Sequence, residues 1–124
     1  MATPNVQTVA FACPGGESSA PVAARPLDLA HLTRQTLGDR SIEAEVLGLF
    51  VLQASTVRDA LSEASEGQRV QLAHGLRGSA AGIGAFAVAE AAKAIERRPA
   101  DAKLVRQLAE RIDEARDFIA SISR

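Results

Sequence analysis

Several residue types that support common functions are scarce in this chain. It contains one cysteine, two histidines, no tryptophan and no tyrosine, and aromatic residues make up 3% of its 124 residues. A single thiol, Cys13, cannot form an internal disulfide, and the chain shows no zinc-binding spacing. Few aromatic side chains are present on which nucleic-acid bases could stack. We therefore expect a cytoplasmic protein with no metal site and no cofactor of its own.

An excess of charge of one sign is also missing. The 14 Lys and Arg residues nearly balance the 15 Asp and Glu residues, so the basic excess typical of nucleic-acid-binding proteins is absent. No apolar run approaches the roughly 18 residues of a membrane-spanning helix. The first basic residue is Arg25, so the positively charged start of a secretion signal is lacking. Neither a nucleic acid nor a membrane is expected as a partner.

Proline and glycine divide the chain into two parts. Residues 1–25 contain three prolines and two adjacent glycines, which predicts a flexible tail. No proline occurs in residues 27–98, and strong helix formers dominate there. With 47% hydrophobic residues, the chain can build a core of its own. We predict one domain over residues 26–124.

Capping residues and helix-breaking residues divide this domain into five predicted helices. These run from Asp28 to Gly38, from Asp39 or Ser41 to about Ser65, from Gly67 to Gly84, from Ala85 to about Arg98, and from Asp101 onward. Apolar residues recur at spacings of three and four in the long helices. In the second, the face expected in the core contains Ile42, Val46, Leu49, Phe50, Val57, Ala60, Leu61 and Ala64. The predicted fold is all-α: an up-and-down antiparallel four-helix bundle with a short additional N-terminal helix.

The third predicted helix contains residues that stability alone does not explain. Gly75 and Gly78 lie inside it, where each glycine costs roughly 1 kcal/mol relative to alanine. On an ideal helical wheel, His74 lies roughly 150° from the middle of the apolar face and points toward solvent. Arg77 and Gly78 share its face, and Gly78 leaves space for a second protein to approach the imidazole. The alternative is that the glycines permit close helix packing and His74 is an ordinary surface residue.

A carboxylate ends the small, apolar stripe of the fourth predicted helix. Ala85, Ala89, Ala92 and Glu96 share one face. Glu96 could accept a hydrogen bond from one nitrogen of a histidine on a neighbouring helix, which would fix the tautomer and leave the other nitrogen as a nucleophile. Alternatively, Glu96 reaches water or pairs with a nearby arginine.

These residues form a recognisable pattern. The run Ala73-His74-Gly75-Leu76-Arg77-Gly78-Ser79-Ala80, followed by Gly84-Ala85 and an Ala-rich helix to Glu96, resembles the histidine-containing phosphotransfer (HPt) domains of bacterial multistep phosphorelays. That signature has a hydrophobic residue two positions after the histidine, a basic residue three positions after it, then Gly-Ser or Gly-Ala, and Gly-Ala about ten positions after it. The resemblance covers about residues 26–122 and implies a four-helix bundle.

The resemblance implies a role for each residue of the pattern. His74 would accept a phosphoryl group from the aspartate of one receiver domain and pass it to the aspartate of another. Arg77, where the family usually has lysine, would stabilise the phosphoryl oxygens, and Gly78 would give the partner access. Glu96 would orient His74 through its inner nitrogen. The implied partners are response-regulator receiver domains, which are expected to carry Mg²⁺, and a hybrid sensor kinase.

Other interpretations compete with this one. The sequence has no Gly-rich phosphate loop and no candidate ATP site, so we expect a phosphocarrier without kinase activity of its own. The main alternative is a helical adaptor or inhibitor that docks on a receiver or kinase and carries no phosphate. An enzyme acting on small molecules lacks a recognisable catalytic set. His31 is assigned no role, because Gln35 and Thr36 rather than Gly and a small residue follow Arg34. We expect a monomer.

Overall fold

Residues 25–123 are described by a computed structural model, and within this range the chain is entirely helical outside its short connections. The five helices are α1 (Leu29–Thr36), α2 (Arg40–Leu61), α3 (Glu66–Ile83), α4 (Phe86–Arg97) and α5 (Ala102–Ile122). The predicted all-α fold is therefore confirmed over this part of the chain. Most of the predicted tail, residues 1–24, lies outside the described residues, as does residue 124.

Aspartate side chains cap the starts of α1, α2 and α5. Asp28 accepts a hydrogen bond from His31 N at the start of α1, Asp39 one from Ile42 N at the start of α2, and Asp101 one from Lys103 N at the start of α5. Each bond satisfies a backbone N–H group that has no partner within its helix. The sequence left Asp39 and Ser41 as alternative caps for α2, and the structure selects Asp39.

The boundary between α2 and α3 differs from the prediction. We expected α2 to extend to about Ser65, but it ends at Leu61, and α3 begins at Glu66. Ser65 is the N-cap of α3: its side chain accepts from Gln68 N, while the Gln68 side chain accepts from Ser65 N. This reciprocal capping box satisfies two backbone donors at once, which makes Ser65 a start signal for α3 rather than the end of α2.

The four long helices enclose one core, with α1 at one end. In this bundle α2 packs on α3, α3 on α4, α4 on α5, and α5 on α2, while α1 contacts α2 and α3. Large side chains at its centre are fully buried, among them Leu61, Leu76, Ile95, Leu108 and Ile112. Burial of apolar surface stabilises the fold by about 25 cal/mol per Å². Each long helix therefore contributes one apolar stripe to a shared interior.

The inward face of α2 is rotated relative to the predicted one. Ile42, Leu49 and Ala60 were expected in the core, but all three are exposed, Leu49 by 63%. The buried stripe is Leu47, Phe50, Ala54, Val57 and Leu61. Apolar residues surround much of this helix, so its inward face depends on where α3 and α5 pack rather than on its own pattern.

Helix α1 closes one end of the bundle by packing on the α3–α4 turn. Asp28 N donates to Gly84 O at 2.9 Å, and Gly84 ends α3 in the left-handed conformation with φ of 90°. A Cβ atom at Gly84 would lie 2.8 Å from Asp28 O. Both the positive φ and this close approach require glycine here. The Gly84 of the sequence pattern therefore joins α1 to the end of α3.

An ion-pair cluster joins α2 to α5. Arg58 donates from Nε and Nη2 to the two oxygens of Asp113, at 2.7 and 2.8 Å. Arg116 donates to Asp113 Oδ1 at 3.0 Å and to Ser55 Oγ at 2.9 Å. The hydrogen bonds from Arg58 lower the pKa of the Asp113 carboxyl from its ordinary value. We call Ser55, Arg58, Asp113 and Arg116 the α2–α5 cluster.

Candidate functional site

His74 stands on the outer surface of α3, as the helical wheel predicts. Its side chain is 68% exposed, whereas Ala73 and Leu76 on either side of it are buried in the core. The buried neighbours hold the helix against the bundle, so the imidazole is presented on a rigid element. Among the residues that the structure describes, none hydrogen-bonds Nε2 of His74. This nitrogen is open to a partner.

Glu96 reaches His74 from the neighbouring helix α4. Its Oε1 lies 3.0 Å from His74 Nδ1, and its side chain is 19% exposed. When Nδ1 carries a proton, it donates to the carboxylate, and the lone pair of the ring is then on Nε2. The structure thus brings together the two residues that the sequence pattern selected from different helices.

Arg77 lies against both of these groups. Its Nε is 2.7 Å from Glu96 Oε2, and its Nη2 is 3.2 Å from His74 Nδ1. The contact with Oε2 is an ion pair, and this buried oxygen has no hydrogen-bond partner within residues 25–123. The alternative that Glu96 pairs with an arginine is therefore also realised, by the same residue that was expected to contact phosphate. We call His74, Arg77 and Glu96 the α3–α4 cluster.

The two glycines beside His74 are not needed for helix packing. A Cβ atom at Gly78 would meet nothing within 4 Å, and one at Gly75 would meet only Gln53 Nε2, at an ordinary 3.7 Å. The alternative that these glycines permit close packing of helices is thus wrong. Gly78 lies one turn beyond His74 and leaves the space beside the imidazole open.

The second histidine of the chain lies elsewhere and has structural contacts. His31 Nε2 lies 3.2 Å from Gly82 O, one of the last carbonyls of α3, and its ring meets Phe86 edge-on with centroids 5.2 Å apart. A carbonyl only accepts, so Nε2 carries the proton in this contact. Sequence reasoning missed this contact, because no local pattern links residues 51 positions apart.

Two other kinds of site are absent from the residues that the structure describes. Between residues 25 and 123, no three side chains of His, Cys, Asp or Glu gather where a metal ion could bind. No helix in the same range has both the length and the apolar content that crossing a membrane requires. The α3–α4 cluster is therefore our candidate functional site in this part of the chain.

Comparison with known protein families gives one match. The family model of the Hpt domain matches residues 45–118, more than half of the chain. This span begins in α2, ends in α5, and includes His74, Arg77, Gly78 and Glu96. No curated protein and no solved structure matches the chain.

Proposed function

The chain belongs to the Hpt domain family, and on that premise we propose that it is a phosphocarrier with His74 as its phosphoacceptor. Membership of this family implies phosphotransfer in phosphorelays, in which Hpt domains interact with receiver domains. The observation that carries the residue assignment is the exposed imidazole of His74, whose Nδ1 lies 3.0 Å from Glu96 while Nε2 has no partner in the described part of the chain.

The proposed transfer uses the lone pair on His74 Nε2. This nitrogen attacks the phosphorus of an aspartyl phosphate on a receiver domain. The bond between phosphorus and the aspartate oxygen breaks, and its electrons remain on the aspartate carboxylate. The proton stays on Nδ1, so the ring gains positive charge, which the adjacent Glu96 carboxylate stabilises. The reverse step delivers the phosphoryl group to the aspartate of a second receiver.

Arg77 and Gly78 serve this reaction from the same helix. The planar guanidinium of Arg77 can donate two hydrogen bonds to phosphoryl oxygens, which the lysine usual in the family cannot do in the same geometry. Gly78 leaves the space that a receiver needs to bring its aspartate to Nε2. Mg²⁺ belongs to the receiver in this proposal, since the phosphorylated aspartate is there.

The proposal also covers the order of the helices in the bundle, the cellular location, the oligomeric state and the phosphate donor. An up-and-down antiparallel order is supported by the α2–α5 cluster, in which Arg58 pairs with Asp113 whereas Ser55, earlier in α2, pairs with Arg116, later in α5. The short turn at Gly84 and Ala85 supports it for α3 and α4. We place the protein in the cytoplasm as a monomer, with a hybrid sensor kinase as the source of phosphate.

A transfer assay with matched histidine variants tests this function. The purified protein, His74→Ala and His31→Gln are each incubated with a radiolabelled phosphorylated receiver from the same organism. We expect acid-labile, base-stable label on the wild type and on His31→Gln, and none on His74→Ala. Binding of a receiver without label on any of the three proteins would support the adaptor alternative instead.

A further inference from the structure

Two groups of opposite hydrogen-bonding character approach the same nitrogen of His74. Glu96 Oε1 lies 3.0 Å from Nδ1, and Arg77 Nη2 lies 3.2 Å from it. A carboxylate oxygen only accepts hydrogen bonds, whereas a guanidinium nitrogen only donates them. In a neutral imidazole, Nδ1 carries either a proton or a lone pair. The two contacts therefore exclude each other within any one tautomer.

The two contacts have opposite consequences for the chemistry of the ring. If Nδ1 is protonated and donates to Glu96, the lone pair is on Nε2, the nitrogen that faces a partner. If Nδ1 accepts from Arg77, then Nε2 carries the proton and has no lone pair available for attack on phosphorus. Glu96 therefore favours the nucleophilic tautomer, and Arg77 in its observed position favours the inert one.

The guanidinium of Arg77 is held in this position by an ion pair. Its Nε lies 2.7 Å from Glu96 Oε2 without hydrogen-bonding geometry, and 39% of the Arg77 side chain is exposed. For comparison, Arg58 donates to both oxygens of Asp113 in the α2–α5 cluster. Arg77 is thus attracted to Glu96 by charge but is not fixed there by directional bonds.

From this geometry we infer that Arg77 is a positioning residue with two positions, which regulates the nucleophilicity of His74. This inference rests on the proposed function and deepens it. In the unphosphorylated protein, Arg77 shares Glu96 with His74 and competes for Nδ1. When a phosphoryl group arrives at Nε2, its oxygens attract the guanidinium away from Nδ1. Glu96 then interacts with the imidazole of His74 alone.

The movement of Arg77 matches the movement of charge during transfer. As Nε2 forms its bond to phosphorus, the imidazole keeps its Nδ1 proton and gains positive charge. A positively charged guanidinium beside Nδ1 would repel the positive charge that develops on the ring. Beside the phosphoryl group, the guanidinium is attracted to the negative charge of the phosphoryl oxygens. In the observed position, Arg77 contacts Glu96 and His74 through two different nitrogens of its fork, whereas lysine has a single ammonium group.

Nitrogen NMR of the unphosphorylated protein tests the tautomer directly. The chain has only two histidines, so ¹⁵N-histidine labelling gives two imidazoles to assign. In alkaline buffer, we expect Arg77→Ala to raise the ratio of Nδ1–H to Nε2–H tautomer of neutral His74 about tenfold, the effect of a charged hydrogen bond lost from one tautomer. Arg77→Lys should shift the ratio in the same direction. Glu96→Ala, added to Arg77→Ala so that no guanidinium is released by the loss of its ion pair, should lower the ratio relative to Arg77→Ala.

His31 is the internal control for this experiment. Its Nε2–H is fixed by the carbonyl of Gly82, so its nitrogen shifts should be the same in all of the variants. A His74 tautomer ratio that is unchanged in Arg77→Ala, or that does not fall when Glu96→Ala is added to Arg77→Ala, would overturn the inference. A purely structural role for Arg77 would change the melting temperature without changing this ratio.

A second measurement separates this inference from the proposed function. Phosphoramidate phosphorylates histidine without a receiver, and we expect it to label His74 on Nε2 and to shift the Nε–H signal of Arg77. Label on His74 with an unmoved Arg77 signal would contradict the two positions of Arg77. No label on His74 would count against the phosphoacceptor assignment, and the tautomer ratios of the variants would still decide the competition for Nδ1.

Discussion

Two clusters of arginine and carboxylate lie on different edges of the bundle, and they differ in how completely their hydrogen bonds are made. In the α2–α5 cluster, both oxygens of Asp113 accept hydrogen bonds from arginine. In the α3–α4 cluster, Oε2 of Glu96 has a close ion pair but no hydrogen bond. Glu96 is nevertheless the more buried carboxylate, at 19% exposed against 38% for Asp113.

This difference is the one expected between a cluster that supports the fold and one that is arranged, as we propose, for phosphotransfer. A carboxylate that loses water is stabilised only when its oxygens regain hydrogen bonds, and Glu96 regains them incompletely. Its partners are an exposed imidazole and a partly exposed arginine, for which we propose two positions. Stability alone does not account for this arrangement. The proposed site does account for it, because that site must hold and release a charged phosphoryl group and neutralise the charge that develops on the ring.

Removal of His74 should have the largest effect on function and almost none on the fold. His74→Ala is expected to abolish phosphoryl acceptance and to change the free energy of unfolding by no more than about 0.5 kcal/mol, because the side chain is exposed. Thermal melting followed by circular dichroism measures the second quantity. A large fall in melting temperature would show that the α3–α4 cluster also supports the fold, and the contrast between the clusters would be lost.

Filling the space beside His74 should have the next largest effect. Gly78→Gln is expected to keep the fold and to slow transfer by about 100-fold, since displacement of a reacting group by about 1 Å has effects of this size. Gly48→Gln is the matched control, because Gly48 is also helical and open but lies on α2. Rapid-quench measurement of transfer compares the two variants. Equal rates would refute the access role of Gly78.

Loss of the Arg77 guanidinium should slow transfer less. Arg77→Ala is expected to lower the transfer rate by roughly tenfold while receiver binding remains, because the loss of its two charged contacts with the phosphoryl group outweighs the gain in the nucleophilic tautomer of His74. Calorimetric titration with the receiver, run beside the transfer assay, separates the two properties. Loss of binding in step with loss of transfer would make Arg77 a docking residue instead.

Disruption of the α2–α5 cluster should have the smallest effect, and it should fall on stability alone. Asp113→Asn is expected to lower the melting temperature by no more than roughly a few degrees, as for a partly exposed ion pair, with phosphoryl acceptance unchanged. Because the folded-state pKa of Asp113 is lowered, its stabilisation is present above the ordinary aspartate pKa, roughly 3.9, and is lost as the pH falls through the folded value.

The pH dependence gives this last prediction its control. The difference in unfolding free energy between wild type and Asp113→Asn, measured by denaturant titration, should be constant near neutral pH and should shrink in acid. A difference that stays constant into strong acid would mean that the Asp113 charge does not stabilise the fold.

Local features were the ones that the sequence predicted well. Asp28 and Asp101 were identified as caps because a cap bonds to a backbone group within three residues. The outward direction of His74 followed from the period of α3, which places its neighbours in the core. Glu96 was identified from the small, apolar stripe of α4 as a possible partner of a histidine on a neighbouring helix, and the family pattern then paired it with His74, 22 positions away.

The sequence by itself therefore determined the helices, most of their ends and the exposure of His74, because these depend on contacts within a turn or two of the chain. Only the tertiary structure decided which face of α2 is buried, where Leu49 proved exposed, and that Arg77 shares Glu96 with His74. Both outcomes depend on how neighbouring helices are rotated and spaced, and packing of the whole core sets these quantities.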